Sequence, residues 1–88
     1  MIVLTNSQTN RLLGYPAKAR LLIINADDFG ISARINEGIL LAHREGIVTA
    51  TSLMAVGRAF EQAVQCCRAV PALDVGVHLT LVAERPLL

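Results

Sequence analysis

Residues 20–54 read RLLIINADDFGISARINEGILLAHREGIVTATSLM, and this stretch decides the fold. Leu21 to Ala26 is a near-continuous apolar run. Such a run suits a parallel strand buried on both faces. DDFGIS then reads as a turn, with Gly30 as breaker and Ser32 as helix N-cap. From Ala33 to Glu45, Ile35, Ile39 and Ala42 fall at helical spacing. Gly46 takes the place of a C′ glycine, with His43 and Arg44 in the last turn. Ile47 to Met54 is rich in β-branched residues and predicts a second strand.

Working outward, Gly57 opens another break, and Arg58 to Val70 predicts a second helix. Phe60, Ala63, Val64 and Cys67 share one stripe of it; Glu61, Gln62, Gln65 and Arg68 lie on the other side. Pro71 stops that helix. Leu73 to Leu81 alternates strictly, with Leu73, Val75, Val77, Leu79 and Leu81 on one face, and predicts a third strand. The expected fold class is α/β, a β-α-β-α-β parallel unit with right-handed crossovers. Three parallel strands leave two open edges, so the unit reads as the beginning of a larger α/β domain and invites association with a second copy. Residues 1–19 read as a poorly ordered extension ahead of the domain portion at 20–88. Their basic residues follow the short apolar stretch, unlike a secretory signal.

Composition removes several function classes. Of 88 residues, 53% are hydrophobic and 17% charged, which excludes disorder as a description of the whole chain. Eight basic and seven acidic residues leave a net charge of +1, no footprint for nucleic acid or an anionic membrane. Tyr15, Phe29 and Phe60 offer no stacking platform for single strands. No apolar run approaches the roughly 20 residues that span a bilayer. The six glycines form no GxGxxG phosphate cradle. The two cysteines, Cys66 and Cys67, are chain neighbours ill placed to pair with each other, a usage that fits a reducing cytoplasm. Mid-helix and without an activating neighbour, they read as packing residues.

Chemistry in parallel α/β sheets gathers at the carboxyl ends of strands. Asp27 and Asp28 are expected directly after the first strand, and His78 near the end of the third, with Thr80 on its face. Strands one and three lie two spacings apart, roughly 10 Å, close enough for inward-leaning side chains to meet at one ion. A carboxylate and an imidazole suit Zn²⁺ and other divalent ions, but two ligands fall short of the usual three. The spare carboxylate then suits a general base. From spacing alone, the acid pair is equally a solvated turn, and a lone strand histidine such as His78 is more often a structural residue than a ligand. His43 reads as an exposed helix-end residue, and Asn36 and Glu37 as ordinary residues of the helix start.

LLIINADDFGIS, N-x-GI-x-x-AH-x-x-GIVTATSLM and LDVGVHLTL, in this order, resemble the YdjC-like carbohydrate deacetylases, also called the ChbG/HpnK family. The resemblance runs from about Arg20 to Leu88. It implies a (β/α) barrel-like fold and removal of an acetyl group from an N-acetylated sugar or oligosaccharide with a divalent metal ion, Mg²⁺ or Zn²⁺. Asp27 matches the catalytic base; Asp28 and His78 match metal ligands. The family's third ligand, a downstream histidine, has no counterpart in these residues, so the resemblance implies an N-terminal fragment. Two other classes compete: a non-catalytic association module, and a receiver-like signalling domain. The latter needs an aspartate where His78-Leu79-Thr80 stands.

Overall fold

The computed structural model describes residues 2–4, 7–82 and 84–87. The apolar run from Leu21 is divided in two. Leu21–Ile23 (β2) pairs antiparallel with Ile2–Leu4 (β1), with Ile2 opposite Ile23 and Leu4 opposite Leu21. Asn25–Phe29 (β3) then leaves this ribbon and enters a second, parallel sheet with Ala50–Leu53 (β4) and Asp74–Val77 (β5). The order β3-β4-β5 is that of two successive crossovers. The helices between them are Ala33–Arg44 (α2) and Phe60–Ala69 (α3).

The α/β class and the parallel β-α-β-α-β unit therefore hold. Ahead of residue 20, the described residues include β1 and a short helix, Ser7–Leu12 (α1). Asn10 of that helix is buried, and its amide donates to the Ala17 and Ala19 carbonyls at 3.1 and 2.7 Å.

Ser32 caps α2 as expected, its hydroxyl accepting from the Ile35 N–H at 3.2 Å. Ile39 and Leu40 of α2, Ala63 of α3, Phe29, Val70 and Leu73 form the core. Cys66 and Cys67 pack against its margin with Ala26, Val48 and Leu53. Both cysteines are free thiols, and burial followed by the neighbouring Cys66 pushes the Cys67 thiol up. That agrees with a packing role.

The third strand is shorter than its alternation predicts, ending at Val77 instead of Leu81. Val77, Leu79 and Leu81 are exposed, because no described element covers the apolar face of β5. The described strands form an open three-stranded sheet, with β5 at one edge.

Two loops close against each other behind β3. The Gly30 carbonyl accepts from the Ala59 N–H at 2.9 Å, and a Cβ on Gly57 would overlap that same carbonyl. Backbone cannot swing aside as a side-chain tip can. Gly57→Ala is expected to destabilise the fold by about 2 kcal/mol through forced separation of these loops. Urea unfolding of the variant checks this; an unchanged midpoint would show that the loops part freely.

Candidate active site

The acid pair lies inside β3, not after it. Asn25 faces Ala50 and Ala26 faces Thr51, but the next matched pair is Phe29 with Leu53. Three steps along β3 thus oppose two along β4, the count of a β-bulge. Asp27 and Asp28 absorb the extra residue. Asp28 takes φ of 66°, left-handed backbone that aspartate tolerates better than most residues. A regular strand would send two consecutive side chains to opposite faces; the bulge cancels that constraint and re-aims them. The Ala26 carbonyl beside the bulge accepts from the buried Thr51 hydroxyl at 2.7 Å.

The bulge is held from behind. The Asn36 side chain is fully buried and accepts from the Gly30 N–H at 2.6 Å. Its amide donates to the Ala59 carbonyl at 3.2 Å and to Gln62 Oε1 at 2.9 Å. One side chain of α2 therefore ties the turn after the acid pair to the start of α3. Its structural role agrees with the ordinary reading of this position. Glu37 is exposed beside it.

His78 follows β5 directly, and its N–H donates to the Leu53 carbonyl at 2.9 Å, extending the ladder by one residue. Its Nδ1 lies 3.4 Å from Asp28 Oδ1 and 3.4 Å from the Asp28 backbone nitrogen. Both separations are long for a hydrogen bond, so the two side chains stand side by side without tight engagement. They stay open to solvent, with 53% of the Asp28 side chain and 30% of the His78 side chain exposed. Two strands flanking β4 thus bring their residues together over its end, as the strand order predicts.

The donor set can be tested against a divalent ion. Ligand atoms about 2.1 Å from a tetrahedral ion stand roughly 3.4 Å from one another. The Asp28–His78 separation matches that, and a carboxylate oxygen with an imidazole nitrogen is a suitable pair. Among the described residues, no third His, Cys, Asp or Glu joins them in a group. The residues therefore fit as two ligands of a site that needs a third.

Asp27 stands apart from that pair. Its Oδ1 accepts from the Asn25 amide at 2.8 Å, and the same amide donates to Ser52 Oγ at 2.9 Å. Neither Asn25 nor Ser52 was singled out in the sequence, although residues 25 and 27 lie two apart on a strand and so share a face. His43, expected to be exposed, is half-buried instead. Its Nδ1 is 2.8 Å from the Val48 carbonyl, which only accepts, so this nitrogen carries the proton and serves the loop into β4. The shallow depressions on α2 (Glu37, Leu40, Leu41, Arg44, Glu45) and on α3 (Phe60, Glu61, Val64, Gln65, Arg68) contain none of the candidate residues.

Comparison with known proteins identifies the family and relatives of the chain. Over 69 residues the chain is 49% identical to a chitooligosaccharide deacetylase of Proteus mirabilis (strain HI4320), covering 78% of this chain and 27% of the relative. It is 52% identical over 68 residues to the chitooligosaccharide deacetylase of Citrobacter koseri, covering 77% of this chain and 27% of that protein. The chain thus spans about a quarter of the length of these relatives. The profile of the family described as YdjC-like protein matches residues 21–88, from β2 to the last residue and across all three candidate positions. The chain belongs to the YdjC-like protein family.

Proposed function

We propose that residues 21–88 supply the base and two metal ligands of a carbohydrate deacetylase acting on N-acetylated sugars or oligosaccharides. The supporting observation is the meeting of Asp28 Oδ1 and His78 Nδ1 at 3.4 Å, with the Asp27 carboxylate on the same bulge. The names of the relatives point to the same substrate class. In this reading β3-β4-β5 is the opening segment of a barrel-like sheet, and the protein works in the reducing cytoplasm.

Asp28 and His78 hold a divalent ion, Zn²⁺ or Mg²⁺. When bound, it supplies Lewis acidity toward the acetamide carbonyl and toward water. The Asp27 carboxylate takes the proton of the water whose oxygen attacks that carbonyl. The C–N bond breaks as the leaving nitrogen takes up a proton, the one Asp27 holds being available, and acetate and the free amine are released. Asp27, Asp28 and His78 supply no separate acid for the leaving nitrogen. Two ligands hold an ion weakly, so residues 1–88 alone bind divalent metal poorly and release little acetate.

The test is a chimera in which residues 21–88 replace the matching stretch of the Proteus mirabilis relative. It is expected to release acetate from chitooligosaccharide, to lose this activity to a chelator and to regain it with Zn²⁺ or Mg²⁺. His78→Ala is expected to weaken metal binding beyond the roughly 10–100-fold cost of losing an outer-shell partner. Activity that survives both chelation and His78→Ala would overturn the metal assignment.

A further inference from the structure

We infer that Asn25 is a positioning residue for Asp27: its amide, braced by Ser52, fixes the carboxylate that the proposed reaction uses as base. The inference rests on that reading of Asp27.

The bulge creates the need. Asp27 and Asp28 have no matched partners on β4, so the regular ladder does not position them. Asp27 is also exposed, and an exposed carboxylate on such backbone turns freely about its side-chain bonds. A base must present its oxygen within hydrogen-bond reach of one particular proton. Something other than the ladder or burial has to orient it.

Asn25 meets that need from both sides of the bulge. An amide nitrogen carries two protons. One reaches Asp27 Oδ1 at 2.8 Å, a bond strengthened by the carboxylate charge. The other reaches Ser52 Oγ at 2.9 Å, on the strand opposite the bulge. The amide plane is therefore tied to β4, and the carboxylate is tied to the amide. Oδ1 is engaged, and Oδ2 makes no hydrogen bond among the described residues. A lysine would also orient the carboxylate, but it would place a positive charge beside the Asp28–His78 pair. A neutral amide orients without repelling a cation there. Surface hydrogen bonds of this kind add little to stability, so the contribution of Asn25 is to the rate.

Two measurements test this. In residues 1–88, the Asn25 side-chain amide signals in a nitrogen–proton NMR spectrum are expected to move in Asp27→Ala and again in Ser52→Ala. Signals indifferent to Asp27→Ala overturn the contact. In the chimera described above, Asn25→Leu keeps the volume and removes the donor. It is expected to lower kcat by about 10²-fold, as for a misplaced catalytic group. KM is expected to stay within about 3-fold, as for an interaction made only in the transition state. Metal affinity and melting temperature should not change. Ser52→Ala, a milder change, should lower kcat in the same direction by less. Unchanged kcat in both variants, with Asp27→Asn inactive, overturns the positioning role alone. Full activity in Asp27→Asn overturns the base assignment beneath it.

Discussion

Asp27→Asn, placed in the chimera that carries residues 21–88, is expected to lower acetate release by about 10³-fold, the middle of the range for a lost general base. The substitution is nearly isosteric. The new side chain keeps a carbonyl oxygen where Oδ1 accepts from Asn25 at 2.8 Å, so that contact survives. Asp28 and His78 are untouched, and metal affinity should hold. What is lost is the capacity of this side chain to take up a proton. The expected signature is therefore a fall in kcat with unchanged melting temperature and metal binding. A rate within a few-fold of the parent would return Asp27 to the other reading of its position, a solvated acid in a bulged turn.

The largest effect on stability is expected at Asn36. Asn36→Leu is close in volume and keeps the apolar contacts of α2, yet removes three hydrogen bonds from a fully buried position. The Gly30 N–H then lies buried without an acceptor. The Ala59 carbonyl keeps no Asn36 donor, and Gln62 must turn outward. One buried orphan costs about 1–3 kcal/mol, and the weaker losses bring the expected total to about 3 kcal/mol. Small domains have only about 5–15 kcal/mol in all, so the urea midpoint should drop visibly. Asn36→Asp retains an acceptor for Gly30 but loses the donors to Ala59 and Gln62 and buries a carboxylate against the Ala59 carbonyl, so near neutral pH it should be at least as unstable as Asn36→Leu. Equal stability in all three would show that the Gly30 turn is held by the strands alone.

Local patterns in the chain carried the unit as far as its element types. Apolar periodicity marked α2 and α3, Ser32 marked the start of α2, and the order strand-helix-strand dictated parallel pairing. The Asp28–His78 meeting was also legible, because strand order and strand ends follow from that pattern. Periodicity went wrong where a residue's neighbours lie far along the chain. Leu21 to Ala26 looks like one strand, yet Leu21–Ile23 and Asn25–Phe29 join different sheets. The alternation of residues 73–81 promised a buried face, but a pattern states only that a face is apolar. Whether it is covered depends on another element, and none of the described elements covers Val77 or Leu79.

The sequence by itself determined the class of the unit and its core helices, because periodicity and caps are local properties of backbone geometry, and it set Asp27, Asp28 and His78 near strand ends. Only the tertiary structure decided how those residues are aimed. The extra residue between Ala26 and Phe29 exists only relative to the register of β4. The left-handed turn at Asp28, the Asn25 bracket to Ser52 and the Asn36 clamp on Gly30 follow from contacts between distant segments. A carboxylate's direction is set by such contacts, and no window along the chain contains them.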